Sequence, residues 1–310
     1  MHKLSGRAGL GASLSLVTVV LWGLLPVALK EVLVHMDPYT ITFYRFFVSG
    51  GLLALWLVKR RALPSLSMLN GQGRKLLLVS VLGLLTNYGF YLLALEHLDP
   101  RTAQTVIQLA PLLLLLGGVW LYREPFGPVQ ALGVMILLLG LGLFFNERLA
   151  KIFSDFAGLG LGVALMVAAA VTWASYALAQ KKLLAQLNSL QIMMIINVCG
   201  ALAFLPMAHP AQVLHLSAWE GGWLLFACFN TLIAYGAFAE ALNHWEASKV
   251  SALLAITPLM TFGFVAVLAP LLPFGFDTTE LPLLSYVGAV LVVLGSMLNA
   301  LGNRLLWRRR

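Results

Sequence analysis

Gln104, Gln108 and Pro111 follow one another at i, i+4 and i+7, a spacing that puts all three on one face of a helix. The chemistry they offer is recognition. Each amide donates and accepts hydrogen bonds, and proline deprives the carbonyl four residues before it, that of Ile107, of its helical partner. Pro258 does the same to Leu254, and Pro26 to Trp22. Trp22 and Trp173, with Tyr88, Tyr91, Tyr176 and Tyr235 nearby in depth, supply ring faces for an apolar or aromatic solute and polar tips to orient it. Arg45 stands seven residues beyond Pro38, about 10 Å into its helix. A charge within an apolar run is a functional candidate by default, here as a partner for a substrate or a gate. His97 and His244 are candidate gates at opposite faces of the membrane, and histidine is a residue type that could sense protons there.

Each of these residues also has a plainer role. The prolines can kink a helix without touching a ligand, or act as hinges beside a cavity. The glutamines can bond neighbouring helices, the aromatic rings can pack, Arg45 can anchor its helix or snorkel to an interface, and the histidines can cap helix ends. Bond-making chemistry has less to stand on. The chain has no H-E-x-x-H, G-x-S-x-G or G-x-x-x-x-G-K-[ST] pattern. Its two cysteines, Cys199 and Cys228, both fall in apolar runs. No catalytic residue, metal or cofactor is expected, and ATP is not expected to drive the chain directly.

The elements that position these groups follow from composition. Of 310 residues, 60% are hydrophobic and 10% charged, with mean hydropathy +0.90. A soluble domain carries about 25% charged residues, so this is an integral membrane protein. Ten apolar runs, each near the 20 or so residues a helix needs to cross a bilayer, lie at 9–29, 38–58, 76–97, 100–121, 127–145, 157–180, 189–208, 220–242, 248–270 and 283–303. Their polarity does not alternate, which excludes a β-barrel. The first run is longer than a signal peptide's and lacks a small-x-small cleavage site, so it reads as a retained helix. With the N-terminus in the cytoplasm, the inner segments hold 15 Lys and Arg residues against 4 outside. The positive-inside rule therefore puts both termini in the cytoplasm, and the membrane expected is a bacterial-type inner membrane. The rule also accounts for the net charge of +8 without nucleic acid.

The chain repeats itself. Residues 96–113 read EHLDPRTAQTVIQLAPLL and residues 243–260 read NHWEASKVSALLAITPLM. An offset of 147 carries Tyr88, His97 and Pro111 onto Tyr235, His244 and Pro258, while an offset of 151 carries Gly11, Trp22 and Lys30 onto Gly162, Trp173 and Lys181. The polar wall is not kept, because Gln104 and Gln108 correspond to Ser251 and Ala255. Asp37-Pro38, Asp99-Pro100 and Asn188-Ser189 read as capped helix starts. Glycines recur every seven residues at 133 and 140 and at 288, 295 and 302, a smooth face for close packing and a candidate subunit contact. The fold expected is all-α, ten transmembrane helices in two five-helix halves, residues 1–150 and 151–310. Five is odd, so the halves are inverted repeats, a plan of secondary transporters with a site between the halves.

The segments LWGLLPVALK, PYTITFYRFF, LAPLL and YREPFGPVQALGVMILLLG, in this order and within paired five-helix halves, resemble the EamA family of the drug/metabolite transporter superfamily. The resemblance covers nearly the whole chain. It implies a ten-helix exporter-like fold of carriers for amino acids and other small metabolites, with an Arg at position 45 as a general feature. Expected partners are a small-molecule substrate and membrane lipids; proton coupling and a homodimer stay open. A lipid flippase or a noncatalytic membrane subunit is the competing reading, and a membrane enzyme a weaker one.

Overall fold

The computed structural model describes residues 7–65, 69–122, 126–146, 156–244, 250, 253–272 and 281–307. Inside a bilayer the backbone must satisfy its own hydrogen bonds, so apolar runs of this length fold as helices. No strand occurs among the described residues. The first helices are α1 (Ala8–Val32), α2 (Pro38–Lys59), α3 (Gly71–His97), α4 (Pro100–Val106), α5 (Leu109–Tyr122) and α6 (Pro128–Phe144). A π-helical turn, Phe156–Gly160, leads into α7 (Leu161–Leu183), followed by α8 (Ser189–Phe204), α9 (Ala218–His244), α10 (Thr257–Leu268) and α11 (Leu283–Trp307). Among the described residues, seven helical spans are long and apolar enough to cross a membrane, α4 and α5 together making one of them. Three shorter apolar helices, Pro128–Phe144, Thr257–Leu271 and Leu283–Leu298, accompany them.

The starts are fixed by side-chain caps. Asp37 accepts from the amides of Tyr39 and Thr40 at 2.9 and 3.0 Å, and Asp99 from those of Arg101 and Thr102 at 2.9 and 3.1 Å. Asn188 and Gln191 each accept from the other's backbone amide, at 2.9 and 3.0 Å. Asn70 caps α3 through the amide of Gly73 at 2.7 Å, which starts that helix at Gly71 rather than at 76. Asp37 and Asp99 are each followed by a proline whose missing amide costs the first turn nothing.

Packing runs between the two parts of the sequence. α1 lies along α9 and α10, α3 and α5 along α7, α2 along α8, and α6 along α11. Glycine permits the closest of these approaches. A Cβ built on Gly288 would stand 2.4 Å from the amide nitrogen of Phe144, and one on Gly295 2.4 Å from that of Leu137. The glycine stripe is thus consumed inside the chain, between α6 and α11, and is not the subunit contact it suggested. Gly302 has no described side-chain surroundings. Trp223 packs its side chain inward against the core, whereas Trp56, Trp120 and Trp219 are exposed, as residues of an interfacial belt are.

Candidate solute-binding cavity

Two helices expected to be continuous are broken. α4 ends at Val106 and α5 begins at Leu109, so the chain turns at Ile107 and Gln108, one turn before Pro111. Further on, residues 253–254 are helical, 255–256 turn, and α10 begins at Thr257 with Pro258 in its first turn. Proline is the cause in both, since it removes a donor and pushes away the carbonyl four residues back. Those carbonyls find local partners: Ile107 O accepts from the Ala110 amide at 2.8 Å, and Leu254 O from the Thr257 hydroxyl at 2.5 Å. Pro26 behaves differently. α1 continues through it unbroken, and the carbonyl of Trp22 accepts from Gln104 Nε2 at 3.4 Å.

Both breaks line one cavity of about 140 Å3, into which Ile107, Gln108 and Pro111 project from one side and Leu254 and Thr257 from the other. Irregular backbone at membrane depth persists where it is buried in protein or borders such a space. The aromatic wall consists of Trp22, Tyr88, Tyr91, Trp173 and Tyr235. Trp22 meets Tyr235 edge-on with ring centroids 5.2 Å apart, and Tyr88 lies 6.3 Å from Tyr235. Rings held by rings cannot swing freely, so they present a fixed surface to a solute.

The polar groups bridge neighbouring helices. Gln104 Oε1 accepts from the Tyr91 hydroxyl at 3.3 Å, which joins α3 to α4 and, through the Trp22 carbonyl, to α1. Gln108 Oε1 accepts from Ser296 of α11 at 3.5 Å. Asn87 Nδ2 donates to Ala169 O at 2.9 Å, tying α3 to α7. Arg45 also borders the cavity. Its Nε donates to Thr231 Oγ1 at 3.2 Å and its Cζ stands 4.4 Å from the centre of the Tyr88 ring.

Trp22, Tyr88, Tyr91, Gln104, Gln108, Trp173 and Tyr235 are therefore neighbours around one space, with Arg45 and Pro111. Tyr176 is not in this lining: its hydroxyl turns to Met193 of α8, with the sulfur at 3.6 Å. Pro26 and Pro258 are not part of the lining, though their neighbours Leu25 and Thr257 are. His97 ends α3, exposed, beside the start of α7, where a Cβ on Gly162 would stand 2.8 Å from its own Cβ. His244 ends α9 and pairs with Glu240 at 2.8 Å. Glu246, Lys249 and Ser251 lie outside the described residues. Sequence reasoning missed Asn87, Leu25, Ala110 and Thr257 in the lining. Asn87 carried a usable signal, an amide midway along an apolar run, which must face inward. No cluster of three metal-ligating side chains occurs among the described residues, and the two cysteines are free thiols.

Rings, three amides and a cation border one space, an arrangement able to recognise a small solute by shape and polarity. A family model described as the EamA-like transporter family matches residues 9–146 and again 160–301. The chain is 39% identical to the protein named uncharacterized inner membrane transporter YhbE of Escherichia coli K12, over 96% of this chain and 94% of that one. It is 24% identical to a probable amino-acid metabolite efflux pump of the same organism, over 96% of each. A crystal structure 19% identical in sequence superposes with a TM-score of 0.64, covering 96% of this chain and 99% of that one, and so shares the fold. The chain belongs to the EamA-like transporter family.

Proposed function

We propose that this chain is a secondary carrier that exports amino acids or other small metabolites across the inner membrane by alternating access. Ten membrane helices, with α4 and α5 as the two pieces of the fourth, form two inverted halves of five, residues 1–150 and 151–310. Both termini lie in the cytoplasm. The observation that carries this reading is the cavity's position at two broken helices, one from each half. Discontinuous helices at a midplane site are a recurring feature of carriers built from inverted repeats.

The packing supports the repeat. Exchanging the halves turns the contact of α1 with α9 into that of α7 with α3, and the contact of α1 with α10 into that of α7 with α5. The pairs α2 with α8 and α6 with α11 map onto themselves. Two hydrogen bonds follow the same exchange. Asn87 reaches Ala169 O at 2.9 Å, and Thr18 reaches Ala234 O at 3.3 Å; at the offsets of 147 and 151, Asn87 corresponds to Ala234 and Thr18 to Ala169. The substrate class draws on the related efflux pump and on the aromatic and amide lining.

The test is transport by purified protein in proteoliposomes against a panel of amino acids and their metabolites. Counterflow of at least one solute is expected, weakened by Trp22→Ala or Gln108→Ala in protein that still folds. Failure with the whole panel, together with scrambling of labelled lipid, would replace this reading with a flippase.

A further inference from the structure

A guanidinium is a cation at any physiological pH, and burying such a charge, as at Arg45, is costly unless something neutralises it. In α2 Arg45 is only 3% exposed, enclosed by neighbouring helices rather than extended into solvent. Its contacts are a hydroxyl, Thr231, and the face of an aromatic ring, Tyr88. Neither carries a formal charge. Among the described residues no carboxylate lies within ion-pairing distance of Arg45, and its Nη donors have no protein hydrogen-bond partner. The described lining of the cavity holds no Asp or Glu at all. The one formal charge on the described lining is therefore positive, with no carboxylate beside it.

We propose that Arg45 is the binding group for the solute's carboxylate, so that the cavity selects solutes that carry a single carboxylate on a small apolar or aromatic body. This rests on the carrier reading and gives it a substrate class. A guanidinium presents donors in a planar fork that matches a carboxylate's two oxygens. One cation answers one negative charge, which favours a monoacid over a dianion such as a phosphate ester. Beyond the head group, Trp22 and Trp173 offer apolar faces. An amino group on the same solute finds acceptors in the oxygens of Gln104 and Gln108 and a favourable environment over the rings. Amino acids and plain carboxylic acids both satisfy the site. A solute without a carboxylate leaves Arg45 uncompensated.

The experiment titrates purified protein with matched pairs: leucine and leucinamide, phenylalanine and phenylalaninamide, 3-phenylpropionate and its amide. The change in tryptophan fluorescence, to which Trp22 and Trp173 in the lining contribute, reports binding. At least one acid is expected to bind, and its amide at least about tenfold more weakly, the loss of one charge-assisted hydrogen-bonded pair. Arg45→Gln should bring the two members of that pair together. Arg45→Lys, which keeps the charge but not the fork, should retain part of the preference and shows that the gap follows charge rather than misfolding. Amides that bind as well as acids, no binding by any acid, or an acid preference that survives Arg45→Gln would overturn the proposal. So would full saturation of the site by chloride that no acid displaces, which marks an inorganic-anion site. Proteoliposome transport separates the two readings. Arg45-dependent acid binding without transport sinks the carrier and leaves the site; transport of a solute that has no carboxylate does the reverse.

Discussion

At the start of α2 the Asp37 side chain accepts hydrogen bonds from the Tyr39 and Thr40 amides and, at 2.6 Å, from the Thr40 hydroxyl, with His209 Nδ1 at 3.5 Å. Burial alone would raise its pKa, but the hydrogen bonds from Thr40 and Tyr39, with His209 beside it, outweigh burial and hold it below the ordinary carboxylate value. A depressed folded pKa means that the stabilisation is complete above the unfolded pKa and is lost as pH falls through the folded one. Asp37→Ala is therefore expected to cost about 1 kcal/mol at neutral pH. In thermal melts the difference from the parent protein should shrink in strong acid; a gap independent of pH would contradict the cap. That cap was legible in the sequence because Asp-Pro is a local signature. The aromatic lining was legible by a different route, through depth in the apolar runs and the offsets of the repeat. Tyr176 shared that depth yet turned to α8, since the direction of a side chain around its helix depends on which neighbours the helix acquires. Asn87 escaped because a single amide beside Tyr88 repeats nothing: its counterpart in the other half is Ala234.

Among the elements, α6 and α11 approach so closely that a Cβ at Gly288 would meet Phe144 N at 2.4 Å and Gly140 O at 2.6 Å. Backbone cannot yield as a flexible side chain can, so Gly288→Ala must push the helices apart, at a cost of about 1–3 kcal/mol. It should lower the apparent melting temperature by several degrees. Gly142→Ala, where the added Cβ has nothing within 4 Å, should leave it within about 1 °C, a change below about 0.5 kcal/mol. Equal effects would contradict the assignment of the close face. The sequence announced this stripe through its seven-residue spacing but not its partner, because small residues promote close packing inside a chain and between chains alike. The helices themselves were legible from apolar length. The breaks at 107–108 and 255–256 were only half legible: proline marked where a carbonyl would be lost, and Pro26 shows that the same residue can leave a helix whole when a neighbour such as Gln104 supplies a donor.

For the whole molecule, the central claim is one cavity reached alternately from two faces through related gates. Ala103 on α4 and Val250 before α10 are counterparts at the offset of 147, and both are 0% exposed. Each should become reachable only when its own side opens. The decisive measurement places cysteine at Ala103 or Val250 in a chain carrying Cys199→Ser and Cys228→Ser, and follows labelling by a membrane-impermeant thiol reagent applied from either face. Position 103 should react from outside and position 250 from the cytoplasm. A transported solute should raise one reactivity while lowering the other, because a ligand shifts an equilibrium through unequal affinity for its two states. Full labelling of both positions at once, indifferent to solute, would contradict the account and describe a channel or a static subunit.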